Sequence, residues 1–170
     1  MSKPNKNFLG IPVQGNINEG SKRQAQKPIE ELEPLIRAVL DDPTMKAFGW
    51  RQYTPYFNDG EPCVFSVHQP WFLTDADPDP DDVEDNYQYE LSSWSDGHPS
   101  LGQVKTQWSG TEVVSADYTG PDRARYDRVK ALSDAIEGGE FEDVLLEAFG
   151  DHAEVRVTAA GITVDTYEHD

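Results

Sequence analysis

The sequence predicts an α+β fold: an antiparallel sheet built from hairpins, with helices packed on one face, preceded by a disordered N-terminal arm. Three observations carry this prediction. Apolar residues recur at helical spacing in separate stretches, most clearly Leu32, Leu35, Ile36, Val39 and Leu40. Alternating runs flank turn signals at Asn58-Asp59-Gly60 and again near Ala160-Gly161. Helices and strands also come in separate blocks, the order expected of hairpin-built sheets and not of crossover units.

Taken along the chain, residues 1–27 are rich in Asn, Gln, Lys and Gly and hold only Phe8, Leu9, Ile11, Val13 and Ile17 as sizeable apolar groups after Met1. So little apolar surface does not offset the entropy of ordering, and a flexible arm is expected. Residues 28–170 then form one acidic domain. A helix is expected to start between Pro28 and Pro34, since proline suits a first turn and is costly further in. Asp42-Pro43 has the form of a cap and first turn for a short second helix that Gly49 ends.

The stretch from Trp50 to Val67 reads as the central hairpin. Trp50, Tyr53, Tyr56, Phe57 and Phe65 surround the Asn58-Asp59-Gly60 turn, and Cys63, Phe65 and Val67 alternate onto one face. Pro55 and Pro62 place it at a sheet edge or make it irregular near its turn. Residues 68–74 continue extended. Residues 75–86 read as an acidic loop held open by repulsion, and residues 86–94 as a strand with Tyr87, Tyr89 and Leu91 on one face. One or two short strands are expected between Val104 and Tyr118. Pro121 opens a helix with Val129, Leu132 and Ile136 on its apolar stripe, ended by Gly138-Gly139. Phe141 to Phe149 is a further helix capped by Gly150, and residues 153–167 a last hairpin.

One pattern carries a resemblance. Phe48-Gly49-Trp50-x-Gln52-Tyr53-Thr54-Pro55-Tyr56-Phe57-Asn58-Asp59-Gly60-x-x-Cys63-x-Phe65, with the upstream Pro28-Ile29-Glu30-Glu31-Leu32-Glu33-Pro34-Leu35 and Val39-Leu40-Asp41-Asp42-Pro43, resembles an uncharacterised family of small actinobacterial and phage proteins. The likeness spans residues 28–67 and brings no activity with it. It implies a bacterial or phage protein and no particular role.

Charge divides the chain. Of 14 basic and 32 acidic residues, five basic and one acidic lie at or before Lys27, a net of +4; the 9 basic and 31 acidic residues that follow give −22. A body of that sign repels nucleic acid backbone and anionic lipid and favours a basic partner protein. Solubility alone is the competing reading. No run approaches the ~20 apolar residues of a spanning helix, and no signal-peptide core is present, which makes a cytoplasmic protein or a particle component the expectation.

Catalytic and metal chemistry find little to stand on. Cys63, the single cysteine, could act as a nucleophile with His68 or His152 as base, but its alternation with Phe65 and Val67 argues for a small buried hydrophobe. Asp75, Asp77, Asp79 and Asp81 alternate as calcium ligands would; yet the sixth and twelfth positions from Asp75 are Pro80 and Asn86, where an EF-hand needs Gly and Glu. Four histidines without a His-x-x-x-His pair give no zinc motif. Asp59 and Glu61 flank a turn glycine, where polar residues are expected in any case. No enzyme and no cofactor is therefore expected.

Two surfaces remain. One is aromatic: Trp50, Tyr53, Tyr56 and Trp71, with Trp94 and Trp108, are either an exposed protein-binding patch, to which the turn residues Asn58 and Asp59 would add, or an ordinary aromatic core. The other is acidic: Asp77, Asp79, Asp81, Asp82, Glu84 and Asp85. The first suits a non-enzymatic protein-binding module. The second suits an inhibitor that mimics nucleic acid to occupy a basic host protein, or an immunity-type protein that neutralises a toxin.

Overall fold

The computed structural model of the chain describes residues 6–14, 24–57, 59–91 and 97–169. Within the predicted arm, Lys6–Phe8 (β1) and Ile11–Val13 (β2) pair antiparallel about a turn at Leu9 and Gly10, both at positive φ. Residues 24–27 lie against the body. The Lys27 amide donates to the Glu140 carbonyl at 2.8 Å, its ammonium pairs with the Glu140 carboxylate at 3.0 Å, and the Gln26 side chain donates to Gly139 and accepts from the Asp143 amide. Packing thus begins upstream of Pro28. The rest of residues 1–27 lies outside the described residues.

Helix α1 runs Ile29–Leu40 with Pro28 at its N-cap, so Pro34 falls inside it. Proline there removes the hydrogen bond to the Glu30 carbonyl; burial of Leu32 and Val39, 2% and 1% exposed, offsets that loss. The second helix predicted over residues 42–49 does not form. Asp42 instead accepts from the amide and hydroxyl of Thr44 at 2.9 and 2.7 Å, an Asx turn that feeds strand β3, Met45–Tyr53. Phe48, Trp50 and Gln52 all point inward there, a period of two that burial rewards and a helix would not satisfy.

Strand β4, Ser66–Thr74, pairs with β3, so the central hairpin exists, but its strands part at Tyr53 and Ser66. Residues 54–65 form a wide loop. Asp59 and Gly60 do turn at positive φ within it, whereas Asn58 lies outside the described residues. Cys63 is consequently exposed and unpaired with any strand, against the expectation that it lies beside Phe65 and Val67 in the core. Cys63→Ala is expected to change stability by less than about 0.5 kcal/mol. The thiol should react with an alkylating reagent as fast as free cysteine in the native protein; strong protection would show that the loop closes over it.

Residues 75–91 do not extend into solvent. They hold two single 3₁₀ turns, Pro80–Asp82 and Tyr87–Tyr89, and return to β4 through a bridge between Trp71 and Glu90. The strand predicted over 86–94 is absent among the described residues: Tyr89 is buried while Tyr87 is 51% exposed, so the two do not share a face. Trp94 lies outside the described residues.

Where the sequence predicts one or two short strands between Val104 and Tyr118 there are two, β5, Gln103–Ser109, and β6, Glu112–Thr119, an antiparallel hairpin of their own. Helix α2, Arg123–Glu137, is capped by the Asp122 carboxylate accepting from the Arg125 amide, and it buries Val129, Leu132 and Ile136 as the sequence predicts. Helix α3 is Glu142–Phe149; β7, Ala153–Thr158, and β8, Gly161–Thr166, form the last hairpin. No helix among the described residues is long and apolar enough to cross a membrane.

The main sheet has the order β4-β3-β7-β8 and is antiparallel throughout, with helices on one face, which is the α+β arrangement. That face carries the larger core, in which Phe48 and Trp50 from β3, Phe72 from β4 and Val155 and Val157 from β7 meet Leu32, Leu132, Ile136 and Leu145 from the helices. Ala47, Trp71 and Leu73 point to the other face, where Tyr89 and Val83 of the acidic segment cover them. Gly49 lies between the layers: a Cβ there would sit 2.2 Å from the Val155 carbonyl oxygen and 2.6 Å from the Trp71 ring. Gly49→Ala is expected to cost about 2 kcal/mol or more, read as a lowered midpoint of thermal unfolding.

Candidate functional site

In an antiparallel sheet, alternate strands begin and end at the same rim. Here the C-terminal end of β3, the start of β4, the start of β7 and the end of β8 converge, since Tyr53 pairs with Ser66, Gln52 with Ala153 and Ala153 with Thr166. The residues just beyond those ends therefore meet. They are the loop 54–65, Asp151-His152, and Tyr167 to His169, tied to the sheet by the Tyr167 amide donating to the His152 carbonyl at 2.7 Å.

Six rings gather there. Tyr53 lies 4.6 Å from His68, 4.1 Å from His169 and 5.4 Å from Tyr167, centre to centre. Tyr56 stacks on both His152 and His169, at 5.1 and 4.5 Å, with ring planes within 19° and 10°. The Nδ1 of His152 and the Nε2 of His169 are 2.8 Å apart, a hydrogen bond in which one imidazole donates and the other must be unprotonated at that nitrogen. The Arg51 guanidinium covers the Tyr167 ring at 4.6 Å and pairs loosely with Glu154 at 3.9 Å.

Hydrogen bonds fix the loop onto this base. The Asp151 carboxylate accepts from the Thr54 amide and hydroxyl, at 2.8 and 2.7 Å, and from the His152 amide. Partial burial works against its ionisation, but those donors outweigh it and hold the acid below the ordinary aspartate range. His68 accepts from or donates to the Ser66 hydroxyl at 2.7 Å; burial, then repulsion from His169, lowers its pKa, which keeps it neutral at pH 7. Burial and the neighbouring Tyr167 raise the Tyr53 phenol above its usual value.

The structure separates the aromatic candidates. Trp50 and Trp71 are 1% and 3% exposed and belong to the core, so they present no surface to a partner. Tyr53 is half-buried within the ring cluster. Tyr56 and its neighbour Phe57 are 66% and 76% exposed, and Asp59 is exposed beside them. Trp108 is exposed on the separate β5–β6 hairpin.

The acidic candidates separate too. Asp77 is buried: its carboxylate accepts from the Thr74 amide at 2.8 Å and the Ser100 hydroxyl at 2.6 Å, while its carbonyl accepts from Lys46. Asp79, Asp81, Asp82, Glu84 and Asp85 remain exposed. Lys46 pairs with Asp79 at 3.4 Å and Arg156 with Asp81 at 2.8 Å. With both acids largely in water, such pairs contribute about 0–1 kcal/mol, so the buried Asp77 bonds and the packing of Val83 and Tyr89 are what hold the segment down. Glu90, at its end, is raised to about 7 by burial and by Glu137, so it carries only a fraction of a charge at neutral pH.

Two groupings have the residue types of catalysis without its geometry. Asp77, Ser100 and His98 form one network, but the serine bridges the other two. His98 Nε2 is bonded to the Phe72 carbonyl at 2.6 Å, its Nδ1 accepts from the amides of Ser100 and Leu101, and neither nitrogen is left for a substrate. Ser66 and His68 are paired as a nucleophile and base would be, yet no described residue hydrogen-bonds to His68 Nδ1 to orient it. No group of three His, Cys, Asp or Glu side chains suited to a metal ion occurs among the described residues. What the ring cluster does physically is tie the start of the loop, through Thr54 and Tyr56, to the rim of the sheet and leave Tyr56 and Phe57 largely exposed.

Residue spacing hid most of this site. His68, His152 and His169 share no local motif, and they meet only because β3 lies between β4 and β7. The nearest signal was the last hairpin, whose pairing alone sets Tyr167 beside His152.

No protein-family model matches this chain, nor does any curated protein or any solved structure.

Proposed function

We propose that this is a non-enzymatic protein-binding module, an accessory protein of a phage or a bacterium working in the cytoplasm of the cell or in a particle assembled there. Its contact surface is the loop 54–65. The observation that carries the reading is the exposure of Tyr56 and Phe57, 66% and 76%, on a loop that Asp151 and the stacked His152 and His169 hold in place. Large aromatic groups presented rigidly lose little entropy on binding and are the usual centres of interface energy. A second reading, acidic mimicry of nucleic acid, gains from one fact: the backbone that carries Asp79, Asp81 and Asp82 is anchored to the sheet by the buried Asp77 bonds and the packing of Val83 and Tyr89.

Capture of partners from host lysate separates the two. Wild type, a Tyr56→Ala, Phe57→Ala double variant and an Asp79→Asn, Asp81→Asn, Asp82→Asn triple variant are compared at about 0.1 M and about 1 M salt. A partner that survives high salt and the triple variant, and weakens at least about 30-fold with the double variant, supports the aromatic surface. Loss with salt and with the triple variant alone would replace it with the acidic one.

A further inference from the structure

The order β4-β3-β7-β8 leaves the main sheet two edges, and they differ in kind. At β4, Pro70 has no N–H to offer, Gln69 leaves the strand conformation with φ of 55°, and Trp71 is bridged to Glu90. That edge is closed to another strand. β8 carries none of these devices. All six of its residues are exposed, no described strand pairs with its outer side, and its register with β7 is unbroken. Asp165 is its only charge.

The exposed apolar groups on β8 also face the wrong way for solvent. Ile162 and Val164 are 53% and 45% exposed, yet they stand opposite Val157 and Val155, which are buried on the helix-covered face. Ile162 borders a groove of about 570 Å³ whose walls include Leu32, Ile36, Val144 and Phe149. Among the described residues, helices α1 and α3 line one side of this groove and nothing covers the outer side of β8.

We propose that β8 is a dimerisation edge, pairing antiparallel with β8 of a second copy about a two-fold axis through Thr163 to make one eight-stranded sheet. The hydrogen-bonding phase supports this register. The two-residue turn at Ala159 and Ala160 makes Thr158 and Gly161 the closing bonded pair, so the main-chain groups of Gly161, Thr163 and Asp165 face β7 and those of Ile162, Val164 and Thr166 face outward. Setting Ile162 against Val164 of the second copy joins two residues whose donors and acceptors are both directed outward, and symmetry repeats the pair. A shift of one residue would set outward groups against inward ones.

Side chains agree with the same register. Four aliphatic groups meet on the groove side and continue the Val155–Val157 row. Asp165 falls opposite Gly161, which has no side chain, so the two Asp165 carboxylates stay apart. A like-charged edge would forbid self-pairing; this one has its single charge where the second copy presents only backbone. The net charge of −18 per chain opposes association at long range, although the acidic run over residues 75–85 packs on the sheet face away from the groove. Screening that repulsion strengthens the dimer, the opposite of a salt effect on a charge-driven partner.

Sedimentation of the full chain tests this at about 0.05 M and about 0.5 M salt, over concentrations up to about 200 µM. A reversible monomer–dimer equilibrium that tightens with salt is expected, with Val164→Lys weakening it at least about tenfold at an unchanged melting temperature. In a Cys63→Ser background, Thr163→Cys should give an interchain disulfide on mild oxidation, since Thr163 meets itself at a non-bonded pair with Cα atoms about 4.5 Å apart. Asp165→Cys, displaced from its own copy, should not. A chain that stays monomeric at both salts overturns the proposal and leaves the edge to a foreign strand. A dimer indifferent to Val164→Lys, or cross-linked equally by both cysteines, overturns it as well.

Discussion

Gln52→Met, which conserves side-chain volume, is expected to lower the unfolding free energy by about 3 kcal/mol. Gln52 has no exposed surface, and its three hydrogen bonds join separate parts of the core. Its amide nitrogen donates to the carbonyls of Leu145 in α3 and Gly150 just beyond it, at 2.9 and 2.6 Å, and its carbonyl oxygen accepts from the Trp50 indole at 2.9 Å. Methionine fills the space and supplies no donor. The Trp50 N–H would then lie buried without a partner, at about 1–3 kcal/mol, and the half-buried Gly150 carbonyl would lose its donor at a smaller cost. Urea titration followed by tryptophan fluorescence measures the loss directly. A change below about 1 kcal/mol would mean that water reaches the freed groups and that the junction of β3 with α3 is looser than its geometry implies.

His98→Leu is expected to cost a similar amount at pH 7.5, about 3 kcal/mol, and less as the pH falls. The ring is 4% exposed and locked in one tautomer: Nε2–H donates to the Phe72 carbonyl, and Nδ1 accepts from two amides. Burial lowers its pKa most and Arg125 adds to that, while the Phe72 hydrogen bond and Asp77 pull the other way without prevailing. Because the folded pKa lies below the unfolded value of about 6.5, the unfolded chain binds the proton first. Stability is therefore full above about 6.5 and is lost as pH falls from there toward the lower folded value. His68, lowered by burial and by His169, adds a loss of the same sign. Denaturant titrations of wild type and variant between about pH 5 and 7.5 should converge toward the acid end. A stability difference that stays constant across that range would show that His98 accepts a second proton without penalty and that the tautomer lock is not what holds it.

Several elements were legible because a local pattern and its burial agree. Val129, Leu132 and Ile136 in α2, the glycine that ends α3, and the β7–β8 hairpin all lie where periodicity and turn chemistry put them. Where the reading failed, a local signal was real but served another structure. Asp42 does hydrogen-bond the backbone two residues on, as a helix cap would, yet the chain continues as strand because Phe48 and Trp50 gain more from a two-sided sheet. Asp59-Gly60 does turn the chain, but inside a wide loop, and that displacement put Cys63 in solvent. Asp77 looks like its acidic neighbours in sequence and differs only because Thr74 and Ser100 close around it.

The sequence by itself determined the class of fold, three amphipathic helices, the pairing of the last two strands and the sign and unevenness of the charge. Each of these depends on residues within a few positions of one another, where side-chain period, turn geometry and ionisation act locally. Only the tertiary structure decided which aromatic groups are surface, why the acidic segment stays on the sheet, and that His68, His152 and His169 meet Tyr53, Tyr56 and Tyr167 at one rim. Those outcomes follow from β3 lying between β4 and β7, a strand order fixed by long-range burial of both faces and written in no local spacing.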